Sequence, residues 1–267
     1  LRAGLEGDDP LDEAPDVRRA LAEAFAHAEA APRHLLMALA ADQSDIAAIV
    51  LRGSSLITDA ELIDRAATGD ALVQAAVALR PELSPPVAAA LAEVGEPEAL
   101  LALAGNPGAA LPGFSMARMV ERQGDDPRLR ESLLGRADLP IAVRQSLMAA
   151  AATAAAAGPD GAAPRAEVAR EATERATLAL ASGCDPAALG ELVSHLKTSG
   201  QLTPMLLLRA LVTGELNLTL AALGALAGMP ARRAAALAAE PQGGGFAALY
   251  RKAGLPPALF VPFRAAL

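Results

Sequence analysis

Helix punctuation recurs along the first half of this chain on a nearly fixed beat, and that beat limits the fold more than any other feature. Four stretches read as a helix end, an apolar lead-in and a new helix start: Leu51–Thr58, Leu79–Ser84, Gly105–Pro112 and Gly135–Pro140. Their anchor residues, Arg52, Arg80, Asn106 and Arg136, fall 28, 26 and 30 residues apart. A second marker, Gly69-Asp70, Gly95-Glu96 and Gly124-Asp125, keeps the same beat. Such a period marks stacked helix pairs, each too small to bury its own apolar faces.

The markers are written in capping chemistry. Thr58-Asp-Ala-Glu61 reads as a capping box, with Ile57 and Leu62 placed to staple over it. Ser84-Pro85 sets a cap residue before a first-turn proline. The recurring glycines are expected to close helices in a left-handed conformation. Ahead of the repeats, Asp16–Ala30 reads as an amphipathic helix with Val17, Leu21, Phe25 and Ala28 on one face. Arg33–Ala41 and Ser44–Leu51 follow as shorter helices.

Composition settles the class. Hydrophobic residues make up 53% of the chain but aromatics only 2%, with no Trp and one Tyr, so Ala and Leu must build the core. These are the strongest helix formers, whereas sheets draw on β-branched and aromatic residues. An all-α fold follows, and the expectation is a HEAT-like solenoid of short helix pairs over residues 1–157. A run of Ala at 149–157 leads into Gly158-Pro-Asp-Gly-Ala-Ala-Pro164, which reads as a connection. Beyond it the beat is lost. Arg165–Ala181 reads as a charged helix, with further starts at Asp185-Pro186, Thr203-Pro204, Pro230 and Pro256. Residues 165–267 are therefore expected to form a second helical domain or subdomain.

Charge and length exclude several classes. The net charge is −8 and no basic patch stands out, so no nucleic-acid partner is expected. The uncharged stretches Ala99–Ala117 and Leu216–Ala231 are broken by turns or too short to span a bilayer. Residues 1–10 carry no signal-peptide pattern, and Cys184 is the single cysteine, so a reducing cytoplasmic setting is expected.

Several stretches resemble a known family. Arg33-His34-Leu35-Leu36, the run Leu56–Arg80, Arg136-Ala-Asp-Leu-Pro140, Gly200–Leu216 and Ala227–Arg233 are similar to the bacterial family catalogued as domain of unknown function 2336. The resemblance covers most of the chain. It supports the helical architecture and implies no activity for any residue.

Candidate chemistry is sparse. The three histidines, His27, His34 and His195, have no paired spacing of the kind a zinc site needs, so no metal or cofactor is expected. Glu23 and His27 lie one turn apart, as a surface pair would. His195 stands out because Ser194-His195-Leu196-Lys197-Thr198-Ser199 resembles the phospho-accepting segment of sensor histidine kinases. It departs from that pattern in lacking the acidic residue after the histidine and the closing proline. Leu189, Leu192, Val193 and Leu196 form the apolar face of that helix and leave His195 at its margin, with Glu191 one turn back. Leu218–Ala239 has the spacing of a helix-turn-helix, but its second helix offers only Arg232 and Arg233 beside Ala. Gly243-Gly244-Gly245 lacks the Gly-Lys-Ser/Thr of a phosphate loop. The acidic cluster Asp8-Asp9, Asp12-Glu13 lacks calcium-loop spacing.

The expected function is that of a non-enzymatic helical-repeat scaffold or adaptor binding a protein partner, with a homodimer also compatible. The alternative is a phosphorelay-related signalling adaptor built on a helix pair around residues 185–213, with His195 as phospho-acceptor. Three features bear on these alternatives: how the helices of 185–213 pack, how exposed His195 is, and whether Arg232 and Arg233 face solvent together.

Overall fold

The computed structural model describes residues 15–156 and 162–267. Every regular element among them is helical, joined by one isolated parallel bridge. The chain divides into two compact units, Leu1–Leu139 and Pro140–Leu267.

The first unit holds α1 (Pro15–Ala26), α2 (Arg33–Ala40), α3 (Ser44–Gly53), α4 (Asp59–Thr68), α5 (Ala71–Ala78), α6 (Pro85–Val94), α7 (Pro97–Gly105), α8 (Gly113–Gln123) and α9 (Pro127–Leu134). Helices pack on the next but one in sequence. One layer runs α1, α3, α5, α7, α9, and a second runs α4, α6, α8. Adjacent helices close each pair across the layers. This is the solenoid-like stacking that the repeat demands. At α1 the buried positions are Ala22 and Ala26, while Val17 is 41% exposed. The expected apolar face is thus rotated, because small alanines let α1 settle against α3.

The anchor residues hold the stack together. Arg80, just past α5, is buried and donates to the carbonyls of Leu51 and Ser54 at the end of α3, the latter at 2.8 Å. Asn106, just past α7, donates its side-chain amide to the carbonyls of Ala78 and Arg80, each at 2.7 Å. Arg136, just past α9, donates to the carbonyls of Asn106 at 2.9 Å and Ala109 at 3.1 Å. Each of these three anchors therefore satisfies carbonyls one repeat back, and the carbonyls of Arg80 and Asn106 are themselves taken by the next anchor. Helix ends leave such carbonyls without intrahelical partners, so the clasp meets a need that every repeat creates. Arg52, the first anchor, is exposed. Arg122 plays the same part in the second layer, donating to the carbonyls of Ala92 and Gly95 at 2.9 Å.

The loops also pair directly. The Leu83 N–H donates to the Gly108 carbonyl at 3.1 Å, and the Ala110 N–H returns to the Leu83 carbonyl at 3.0 Å. A Cβ at Gly108 would lie 1.8 Å from the Pro81 carbonyl oxygen, so only glycine fits.

The capping expectations hold in part. Glu61 accepts from the Thr58 N–H at 2.9 Å and from its hydroxyl at 2.7 Å, and Ile57 and Leu62 are both buried. The marker glycines do not take the left-handed conformation. Gly69 and Gly95 are extended, with φ of −79° and −61°, and Gly124 is right-handed helical at −66°. At Gly69 and Gly95 the reason is space, since a Cβ would lie 2.6 Å from the Arg65 and Leu91 carbonyls respectively. One helix there passes into the next with no room for a side chain.

The second unit holds α10 (Ile141–Ala156), α11 (Ala162–Ser182), α12 (Pro186–Thr198), α13 (Pro204–Val212), α14 (Leu216–Ala227), α15 (Ala231–Ala238), α16 (Gly244–Lys252), a short 3-10 turn at Pro257–Leu259 and α17 (Phe260–Ala266). The division at 139/140 falls ahead of the Ala-rich run, not at the Gly/Pro cluster. That run is the second part of α10, which packs on α11 and α12. The Gly/Pro cluster thus joins two helices of one unit, and its residues 157–161 lie outside the described ones. Packing on the next helix but one continues through α10, α12, α14 and α16.

Four substitutions test this packing. Arg80→Met is expected to cost about 2 kcal/mol, because two helix-end carbonyls lose a buried charged donor, while Arg52→Met leaves the urea transition unchanged. Gly108→Ala is expected to cost about 2 kcal/mol through steric displacement of the paired loops. Gly190→Ala on α12, where a Cβ meets nothing within 4 Å, should stabilise by up to about 1 kcal/mol. Urea denaturation followed by far-ultraviolet circular dichroism reads all four.

Candidate functional site

The one singled-out side chain, His195, sits where α10, α11 and α12 meet. α12 begins cleanly: the Asp185 carboxylate accepts from the Ala187 and Ala188 N–H groups at 2.8 Å, and Pro186 fills the first turn. It ends at Gly200, left-handed at φ 72°, with the Gln201 and Leu202 N–H groups turned back to the Leu196 carbonyl at 2.9 Å. Between these caps Leu189, Leu192, Val193 and Leu196 are buried, as the periodicity requires. His195 lies at the margin of that face and is half-buried.

Its ring meets a polar cluster that the sequence did not single out. His195 Nε2 lies 3.1 Å from Gln145 Oε1 and 3.1 Å from Ser146 Oγ, both on α10. Gln145 is fully buried, and its amide nitrogen donates to Gln201 Oε1 at 2.6 Å and to Thr177 Oγ1 of α11 at 3.4 Å. The hydroxyls of Ser146 and Thr177 are donated to the carbonyls of Ala142 and Thr173, one turn back on their own helices. An uncharged periodic face gives no hint of this cluster, because its hydrogen-bonded partners are 32 to 56 residues apart.

The hydrogen-bond directions decide what the cluster can do. Gln145 Oε1 has only acceptor capacity, and Ser146 has committed its proton to Ala142. The tautomer that fits these partners carries its hydrogen on Nε2 and shares it between Gln145 Oε1 and Ser146 Oγ. A serine within reach of a histidine is the arrangement of a nucleophile and its base. In the tautomer that fits these partners, Nε2 does not take the serine proton and presents no lone pair to a phosphoryl group. The cluster satisfies buried polar atoms across three helices. In addition, α12 packs mainly on α10 and α14 instead of pairing with α13. None of these features favours phosphotransfer.

The remaining candidates fall in separate places. His27 and His34 are exposed on and next to different helices, and no group of three potential metal ligands occurs among the described residues. The α14–α15 corner is two helices joined by a short turn, with Gly228 left-handed at φ 64° and the Met229 N–H donating to the Gly224 carbonyl at 2.9 Å. Arg232 and Arg233 both face solvent. Gly243–Gly245 opens α16 as a turn. No described helix is long and apolar enough to cross a membrane.

The family can now be stated. A family pattern described as an uncharacterised protein conserved in bacteria, domain of unknown function 2336, matches residues 46–267. The chain belongs to that family. The match runs through both units, from α3 to the last residue. No curated protein and no solved structure matches the chain.

The His195 cluster makes stability depend on pH. Burial holds the His195 pKa below its ordinary 6.5, and the nearby Glu191 carboxylate opposes this only in part. As pH falls through that value, the unfolded chain binds a proton that the folded chain does not. The contribution of neutral His195 is complete above the unfolded value and is lost as pH falls toward the lowered folded value. Urea melts at about pH 7.5 and about pH 5.5 should show lower stability at the acid end, and His195→Gln should reduce that difference.

Proposed function

We propose that this chain is a non-enzymatic helical-repeat scaffold or adaptor, HEAT-like in its first unit, that acts by binding a protein partner. One observation carries the reading: three buried polar side chains of the repeats are spent on backbone groups of neighbouring helices. Arg80, Asn106 and Gln74 serve carbonyls and amides of adjacent helix ends. Polar groups used this way build a stack and leave its outer surface as the working part. The likeness to other solenoids is one of architecture, and function on such scaffolds resides in surface residues. A bacterial cytoplasmic setting fits the single thiol and the acidic balance. The phosphorelay reading draws no support from the His195 environment.

The test is saturable capture. The full chain, immobilised and exposed to extract of its native cell, is expected to retain a protein in near-stoichiometric amount. Excess free chain should displace that protein, and the purified partner should raise the melting temperature of the chain. A chain that retains no displaceable protein under these conditions overturns the reading.

A further inference from the structure

The end of the second unit differs in charge from the rest of the molecule. Residues 216–267 carry five basic side chains, Arg232, Arg233, Arg251, Lys252 and Arg264, and one acidic side chain, Glu240, although the whole chain is at −8. From Pro241 onward there is no carboxylate side chain at all. Elsewhere several arginines are in ion pairs: Arg118 is bound to Glu93 and Glu121, Arg128 to Asp126, Arg136 to Asp138 and Arg209 to Glu174. Among the described residues, none of the five basic side chains at this end is in an ion pair.

The same end gathers the aromatic side chains. Of the six in the chain, Phe246, Tyr250, Phe260 and Phe263 lie within its last 22 residues. Phe246 stacks on Phe260 at 5.7 Å between centroids, and Tyr250 meets Phe260 edge-on at 5.2 Å. The Tyr250 hydroxyl donates to the Pro256 carbonyl at 2.7 Å, which pins the ring and the loop together. These rings wall an open cleft of about 270 Å³ lined by Ala247, Tyr250, Arg251, Leu255, Pro257 and Phe260. Arg264 lies over the Phe260 ring at 5.6 Å, and Val261 beside it is exposed. The cleft thus has an apolar floor with Arg251 in its lining, and Arg264 lies against the Phe260 ring that forms part of its wall.

We propose that this cleft docks an acidic segment of a partner protein, seating one apolar side chain against Tyr250 and Phe260 while its carboxylates meet Arg251 and Arg264. This names the partner chemistry within the binding role proposed above and rests on that role. Size argues for a single anchor, because small-molecule sites run to about 300–1,000 Å³ and this cleft falls just below. Charge complementarity fixes the flanking residues, since cations in no ion pair among the described residues steer and retain anionic ligands. A nucleic acid fits less well. Base reading needs polar side chains entering a groove, and α15 presents alanines beside its two arginines.

The chain offers its own reporter. Tyr250 is the single tyrosine and there is no tryptophan, so tyrosine emission reads this cleft alone. The probe is a synthetic peptide of Asp and Glu around one Leu, free of Tyr and Trp. The full chain is expected to show a saturable change in emission with it. Replacing the Leu by Ser should weaken binding about tenfold or more, and a peptide with Lys in place of Asp and Glu should not bind. The R251E/R264E variant, checked by its melting transition, should bind the acidic peptide at least about tenfold more weakly. Equal binding of the acidic and Lys peptides, no saturable change, or a stronger response to a random-sequence oligonucleotide or an anionic vesicle would overturn the proposal. If the captured partner is retained equally by R251E/R264E, the scaffold role stands and this cleft is not its site.

Discussion

The stack depends on satisfying carbonyls at helix ends. Short helices multiply this problem, since each end leaves acceptors that burial between repeats would strand. The chain meets it with side chains sent backward by one repeat. Arg80 serves the end of α3, Asn106 the end of α5, and Arg136 the loop that follows α7. Alanine and leucine supply the apolar contact, but they cannot fix register between smooth helices. The clasps can, because a guanidinium or amide fits its carbonyls in one place.

Arg80 illustrates the energetics. Burial lowers its pKa, with the charge of Asp59 opposing the shift. A buried cation without partners is costly. Here the carbonyl dipoles of Leu51 and Ser54 surround it, so the charge is accommodated without a carboxylate contact. Removing the side chain leaves two buried acceptors, which is why the predicted loss exceeds that of an exposed arginine.

The sequence made much of this legible, in uneven ways. The anchors at 52, 80, 106 and 136 were visible as a beat, yet nothing in the text distinguished exposed Arg52 from its buried counterparts. That difference arises from packing. The glycines are visible as breakers, but Gly69 and Gly95 are demanded by the close approach of the Arg65 and Leu91 carbonyls, four residues back, and not by a left-handed turn. Caps such as Asp185 and Thr58 were readable because they act within three residues. The cluster around His195 was not, because Gln145, Thr177 and Gln201 come together only after α10, α11 and α12 have packed. The charge at residues 216–267 was present in the text throughout. Its meaning lies in the aromatic cleft that the same segment holds and in cations that form no ion pair among the described residues.

The clasp has a direction. Every anchor in the series lies on the C-terminal side of the carbonyls it serves, so the two faces of a repeat are chemically unlike. A break between repeats would bare acceptor oxygens on one fragment, which water readily covers. It would bare an arginine or asparagine made to be enclosed on the other. The stack is therefore a polar object in the sense that a filament is, with a donor end and an acceptor end. A duplicated repeat joins such a lattice only if it arrives with both halves of the contact intact, and this ties the length of the unit to its chemistry.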